Sequence, residues 1–495
     1  MITLGYDIGS SFIKASALDT GTGKILATAV SPDRELEIES PTAGWAEQHP
    51  DVWWQHFKKV TQALLSYPDI ENTAIKAIGI SYQMHGLVTV DKHMKPLRPS
   101  IIWCDSRATS FGEKALNDLG PRKTMNALIN FPGNFTASKL KWVKENEPNT
   151  FGKISKFMLP GDYIALKLTG HATTTPSGLS EGILWDYEKE RPADFLLDYY
   201  ELDSSMIPEI VPNFSRGLKI STKTAAALDL PQDTVISYRA GDQPNNAFSL
   251  NVLQPGEVAA TAGTSGVVYG VSDTKMTDDK SRINTFLHVN HTSQSPRYGV
   301  LMCLNGTGIL YSWLRHQLAS GMSYEQLNEK AGKISPGAEG VMVFPFGNGA
   351  ERILGNQHPG ASFHHIDFNR HTLGHIVRAA QEGIVFSLQY GMEIMQSGGT
   401  RIKTIRVGKG NMFLSPVFRE TLASLTGASI EMYDTDGAAG AARGAAVGAS
   451  IYQSIEEAFH TLEKQNTVFP DKKSQSIVKE AYQKWKYMLN QYINQ

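Results

Sequence analysis

The chain has 495 residues, with 47 Lys and Arg against 49 Asp and Glu for a formal net charge of −2. With no basic run to track a phosphate backbone, nucleic-acid partners are excluded, and no apolar stretch reaches the length of a membrane span. Length alone predicts two domains, and the two cysteines, Cys104 and Cys303, fit a reducing compartment. No basic segment followed by an apolar run opens the chain, so the expected location is cytoplasmic.

Residues 2–8 alternate as a strand, Gly9-Ser10-Ser11 breaks it, and residues 12–18 and 24–30 read as two further strands. The small residues of that first turn let backbone amides converge on an anion, making Ser10 and Ser11 candidate phosphate contacts. Asp7 beside them could hold a Mg²⁺ shared with the phosphates. An ordinary hairpin with a surface Asp is the alternative.

Residues 50–67 carry Val52, Trp53, Phe57, Val60 and Leu64 at helical spacing. A strand at 75–80 then exits into Ser81-Tyr82-Gln83-Met84-His85-Gly86, with another strand at 87–90. Gln83 and His85 offer an amide and an imidazole to hydroxyls, while Met84 covers a carbon face. His85 could equally be a satisfied structural group. A second candidate wall is Trp103-Cys104-Asp105-Ser106-Arg107, with Trp103 stacking on carbon and Asp105 and Arg107 fixing hydroxyls. Helices are expected at 139–147 and 160–168.

At mid-chain an apolar run at 235–238 enters Gly241-Asp242-Gln243-Pro244, followed by a helical segment at 245–250. An acid at the end of a buried strand faces the mouth of a sheet, where α/β proteins place chemistry. The simpler role for Asp242 is to cap the next helix. A second hairpin follows, with strands at 257–261 and 267–271 around Gly263-Thr264-Ser265-Gly266. Its turn can also grip phosphates, and its recurrence suggests two domains of related architecture. Tyr298–Leu304 is a strand leading to Asn305-Gly306-Thr307-Gly308 and a helix through Leu318. A short strand at 341–346 and the longest helical pattern, 371–396, come next. A strand at 402–407 runs into Gly408-Lys409-Gly410-Asn411, a turn through which backbone can approach a nucleotide. Pro416–Thr426 is a helix, and the Ala- and Gly-rich stretch 438–450 reads as a closely packed one. His288 and His291 have no third ligand spaced near them, which favours a structural role.

In this order the motifs resemble the FGGY carbohydrate kinases over residues 2 to about 450, leaving a C-terminal helical tail. The resemblance implies an α/β fold of two ribonuclease-H-like domains, the actin-type ATPase architecture, around a central cleft. Residues 1–243 would form the sugar-binding side with the phosphate hairpin, and 244–495 the nucleotide-binding side. It further implies ATP and Mg²⁺ as cofactors, Asp242 as catalytic base and Asp7 as metal ligand. Gln83, Met84, His85, Trp103, Asp105, Asp242 and Gln243 would meet the acceptor. Ser10, Ser11, Gly263, Thr264, Ser265, Gly306, Gly408, Gly410 and Asn411 would meet the nucleotide. The implied reaction is ATP-dependent phosphorylation of a small ketose, D-xylulose at its 5-hydroxyl, and a homodimer is expected. Gly241-Asp242-Gln243 departs toward the glycerol-phosphorylating branch, so another ketose or polyol (L-ribulose, glycerol) is the alternative. A sugar-responsive protein without enzymatic activity is a further one.

Overall fold

The structure is a computed structural model that describes residues 1–493; residues 494 and 495, the end of the expected helical tail, lie outside the described residues. The chain forms two compact units, each discontinuous in sequence. One comprises residues 1–251, 286–293 and 435–462; the other comprises 252–285, 294–434 and the chain from 463. The sequence places a single boundary after residue 243, whereas the chain re-enters the first unit late, with the helix Gly437–Gly448.

The first unit is built on a sheet of β1 (Ile2–Ile8), β2 (Ile13–Asp19), β3 (Ile25–Ser31), β4 (Ile75–Tyr82), β5 (Phe214–Lys219) and β6 (Val235–Gly241). Their order is β5-β6-β4-β1-β2-β3. β1, β2 and β3 form an antiparallel meander. β4 runs parallel to β1 with Asp7 opposite Ser81, and β6 runs parallel to β4 with Gly241 opposite Tyr82. This register brings Asp7, Ser81 and Gly241 to the same carboxyl end of three parallel strands, the end at which open α/β sheets bind ligands.

Both faces of β1 are covered, which is why six of its seven residues are buried and its alternation is weak. On one face the helix Pro50–Leu65 buries Trp53, Phe57, Val60 and Leu64, and Phe57 stacks on Tyr6 with ring centroids 4.0 Å apart. On the other lies the helix Gly437–Gly448, which approaches until backbone meets backbone. A Cβ on Gly5 would collide with the Ala438 carbonyl and the Ala442 backbone, and one on Gly79 with the Ala441 carbonyl. Thr3 Oγ1 and Ser237 Oγ donate to the Ala442 and Ala445 carbonyls, each at 2.8 Å, fastening helix to strands.

The second unit repeats the plan with β7 (Glu257–Ala262), β8 (Gly266–Ser272), β9 (Tyr298–Leu304), β10 (Thr404–Gly408), β11 (Ser429–Tyr433) and β12 (Lys464–Val468). These are neighbours in the order β9-β8-β7-β10-β11-β12. Again a meander (β7, β8, β9) is followed by two parallel strands and a final antiparallel one. The helix Leu373–Ser397 is buried over most of its length. The C-terminal helix Lys472–Ile493 inserts Val478, Tyr482, Trp485 and Leu489 into this unit's core, with Trp485 Nε1 donating to the Val343 carbonyl at 2.9 Å. It is therefore an integral element and not an appendage. Among the described residues no helix is long and apolar enough to cross a membrane.

The backbone contact on β4 predicts the effect of one methyl group. Gly79→Ala should lower the urea midpoint by the equivalent of about 1–3 kcal/mol, as overpacking does, with an unchanged m-value. A midpoint equal to wild type would show that the helix can withdraw from the sheet at no cost.

Candidate active site

Three acidic side chains meet at the carboxyl end of the first sheet. Asp7 lies one residue before the end of β1, and its Oδ1 accepts a hydrogen bond from Ser81 Oγ at 2.9 Å. Burial pushes its carboxyl up; Ser81 and Lys14 counter this, while the nearby Asp436 adds to it. Asp242 opens the helix Asp242–Ser249, whose N-cap is Gly241, so its side chain is not spent as a cap. The helix begins three residues earlier than the sequence suggests, because Pro244 is tolerated within a first turn. Asp242 is pushed up to about 7, first by loss of hydration and then by Asp7, with the Gln243 backbone and side chain pulling the other way.

The third acid, Asp436, caps the helix Gly437–Gly448 by accepting from the Ala439 amide at 2.8 Å. It is absent from the expected site; the signal for it is an Asp placed directly before a Gly- and Ala-rich helix. Gly437 has no room for a side chain, since its Cβ would stand 2.7 Å from Asp7 Oδ2. Asn245 Nδ2 donates to the Gly437 carbonyl at 2.8 Å, tying the helix that carries Asp242 to the one capped by Asp436. Among the described residues no group of three or more His, Cys, Asp or Glu side chains is placed to hold a metal ion by itself.

Next to the acids lies the exit of β4. Gln83 and Met84 are buried, and neither atom of the Gln83 amide finds a hydrogen-bond partner. His85 has a left-handed backbone (φ 60°), and its Nδ1 donates to the Glu181 carbonyl at 2.9 Å. Its ring stands edge-on to Phe135 with centroids 4.8 Å apart. Trp103 is 52% exposed, and its Nε1 donates to Ser10 Oγ at 3.3 Å. Asp105 is placed differently from expectation. It is fully buried, and its carboxylate accepts from the Ala46 amide and from the Arg107 backbone and guanidinium at 2.6–2.9 Å. Its oxygens are committed to holding Arg107, which lies 3.8 Å over the Trp45 ring, and are not offered to a ligand.

Behind these loops sits Lys139, fully buried, with Nζ donating to the carbonyls of His85 (2.9 Å) and Ile102 (2.8 Å). One ammonium group thus joins the two turns that carry His85 and Trp103. Burial lowers its pKa from 10.5 to about 7, against the pull of Asp105 and Cys104 and with the help of Arg107. Between those values the unfolded chain binds a proton that the folded chain does not, so stability rises with pH across that window. Denaturation midpoints of wild type and Lys139→Met at pH 7 and pH 10 check this. The advantage of wild type should widen toward pH 10, and a constant gap would mean that Lys139 titrates normally.

In the second unit three turns are drawn together. Between β7 and β8, the Gly263 carbonyl accepts from the Gly308 amide at 2.7 Å and from Thr307 Oγ1 at 2.8 Å. Ser265 Oγ donates to Asn305 Oδ1 at 3.0 Å. Gly306 has φ 88°, and a Cβ there would strike the Pro345 carbonyl. β10 runs parallel to β7 and so delivers Gly408, Gly410 and Asn411 to the same end of the sheet, with the Asn411 amide beside Gly263. Asn305 and Thr307, from the turn after β9, join the expected residues here. Lys409 is exposed.

Residues 2–249 match the N-terminal domain, and residues 258–452 the C-terminal domain, of the FGGY family of carbohydrate kinases. The chain is 27% identical to the xylulose kinase of Lactococcus lactis over 98% of this chain and 95% of that protein. It is also 27% identical to the xylulose kinase of Bacillus subtilis, over 99% and 96%. Its fold is that of xylulose kinase from Rhodospirillum rubrum (TM-score 0.88, 21% identity, 100% of both chains). Gluconate kinase from Lactobacillus acidophilus shares it (0.89, 20%, 100% of this chain and 99% of that one). So does Plasmodium falciparum glycerol kinase with ADP (0.87, 19%, 98% of both).

Proposed function

The chain belongs to the FGGY family of carbohydrate kinases and is an ATP-dependent phosphotransferase, and on that footing we propose that its acceptor is D-xylulose, phosphorylated at the 5-hydroxyl. The observation that carries the mechanism is Asp242, directly after β6, whose carboxyl is not spent as a helix cap and is pushed up to about 7 by lost hydration and by Asp7. A general base works best when its pKa lies near the operating pH. Asp242 takes the proton of the attacking hydroxyl as the phosphoryl group leaves ATP. Phosphoryl transfer otherwise asks the protein for positioning and charge stabilisation.

The choice of acceptor is supported by the relatives, whose names are xylulose kinase at 26–28% identity. Gln83, Met84, His85, Trp103 and Gln243 are the side chains proposed to meet the sugar, and Asp105 is not among them. Ser10, Ser11, Gly263, Thr264, Ser265, Gly306, Gly408, Gly410 and Asn411 are proposed to meet the nucleotide and its phosphates. A magnesium ion fits the acids present: Asp7 and Asp436 are hard oxygen donors whose mutual repulsion a cation would relieve, and Mg²⁺ typically takes one or two carboxylates plus phosphates and water. Bound there, it would supply charge neutralisation to the phosphate oxygens. A polyol acceptor is the second reading, favoured by Gln243 turned toward Asp242.

ATP consumption by the purified protein across D-xylulose, L-ribulose, glycerol and D-gluconate tests the proposal. D-xylulose should show the highest kcat/KM; a preference for glycerol sinks the assignment in favour of the polyol reading. Asp242→Asn should lose roughly 10²–10⁴-fold in kcat with the KM for ATP little changed; near-wild-type turnover removes Asp242 as the base. Asp7→Asn should shift the magnesium titration of activity to higher concentration while leaving the acceptor KM in place. Superimposable titrations would make Asp7 a structural residue.

A further inference from the structure

Glu181 ends the short helix Pro176–Glu181, about a hundred residues from the Gln83 turn, and no motif draws attention to it. The fold places it at the proposed acceptor site. Its carbonyl holds the His85 ring through Nδ1 at 2.9 Å. Its carboxyl fills the space beside Gly241, the residue before Asp242. A Cβ on Gly241 would collide with Glu181 Oε2 and come 2.6 Å from Met84 Cγ. Glu181 is 1% exposed, yet its Oε1 has no hydrogen-bond partner. The Gln83 amide, 3% exposed, is unpartnered at both its oxygen and its nitrogen. The Tyr82 hydroxyl lies within the reach of the Glu181 carboxyl and interacts with it side chain to side chain, yet it too lacks a partner of good hydrogen-bond geometry.

Buried polar atoms are ordinarily paired, so the unpaired ones on Glu181, Gln83 and Tyr82 around this strand exit call for a partner. We propose that Glu181 is a specificity-determining residue of the acceptor site. With the Gln83 amide, it pairs hydroxyls of an uncharged polyhydroxy acceptor, in surroundings that disfavour an acceptor bearing a carboxylate. This rests on the reading that Gln83, Met84 and His85 line that site. A hydroxyl offers one donor and two acceptor lone pairs, which complement a carboxyl oxygen and a primary amide. A carboxylate meets the opposite situation. Lost hydration and the nearby Asp242 push the Glu181 carboxyl well above the ordinary carboxylate range, and it is these surroundings, not the Glu181 carboxyl itself, that penalise a ligand anion placed there. A sugar acid is the informative competitor, because gluconate kinase shares the fold.

The test compares wild type, Glu181→Ala and Glu181→Gln with D-xylulose, L-ribulose, glycerol and D-gluconate, each varied at saturating ATP, with thermal unfolding of each variant alongside. Wild type should use a neutral acceptor with kcat/KM at least about 10²-fold above that for gluconate, the scale of discrimination by unpaired polar groups. Glu181→Ala should raise the KM for the best neutral acceptor roughly 5- to 150-fold and leave the KM for ATP in place. Glu181→Gln should restore most of the acceptor KM. A folded Glu181→Ala with the wild-type acceptor KM overturns the proposal, as does a wild type that prefers gluconate. The latter outcome decides even if the alanine variant fails to fold. Should L-ribulose or glycerol be the best acceptor and Glu181→Ala raise its KM, the D-xylulose assignment fails while the role of Glu181 stands.

Discussion

The first unit depends on the contact between a helix made almost wholly of Gly and Ala and the strands it lies upon. Side chains ordinarily keep a helix and a sheet about 10 Å apart. Here Gly5 and Gly79 on the strands, facing Ala438, Ala441 and Ala442, remove that spacer, and Thr3 and Ser237 donate hydrogen bonds to helix carbonyls at 2.8 Å. The close approach sets where the N-terminus of the helix falls. Asp436 and Gly437 arrive beside Asp7 because the helix cannot lie further out, and Gly437 stays a glycine because Asp7 takes the room. Packing therefore determines the electrostatics of the acidic cluster.

Those electrostatics have a direction. Carboxyls withdrawn from water and set against one another are driven toward their neutral forms, and Asp7 and Asp242 both move that way. For Asp242 the result is a group able to take a proton near neutrality. For Asp7 the same repulsion is a standing demand for positive charge. The wall beside them is ordered by buried polar groups. Lys139 binds two turns through their carbonyls, and Asp105 is consumed in fixing Arg107. Polar residues in one motif thus separate into those that build the wall and those that face outward from it.

The second unit reuses the strand plan with different chemistry at the strand ends. Three of its strand ends, after β7, β9 and β10, carry Gly-containing turns, the first two held by hydroxyl and amide contacts among Gly263, Ser265, Asn305, Thr307 and Gly308. Glycines let backbone amides come close to a ligand without side chains intervening, which suits phosphates and a flat base.

Sequence by itself determined the local structure. The two hairpins, the strand exits at Gln83 and Asp242, and the Ala- and Gly-rich helix all follow from short-range patterns of apolar residues, glycines and turn formers, and the structure contains each of them. The assignment to the FGGY family was also legible, because it rests on the order of short motifs. Tertiary structure alone decided which side chains meet. It returned residues 435–462 to the first unit, bringing Asp436 to Asp7. It set Glu181 beside Gly241, turned Asp105 inward, and gave Lys139 its two carbonyls. Pairings between residues hundreds of positions apart leave no periodic trace in a single chain. They come from strand register and from how closely two backbones can approach, and both are settled only when the sheet and its covering helices pack together.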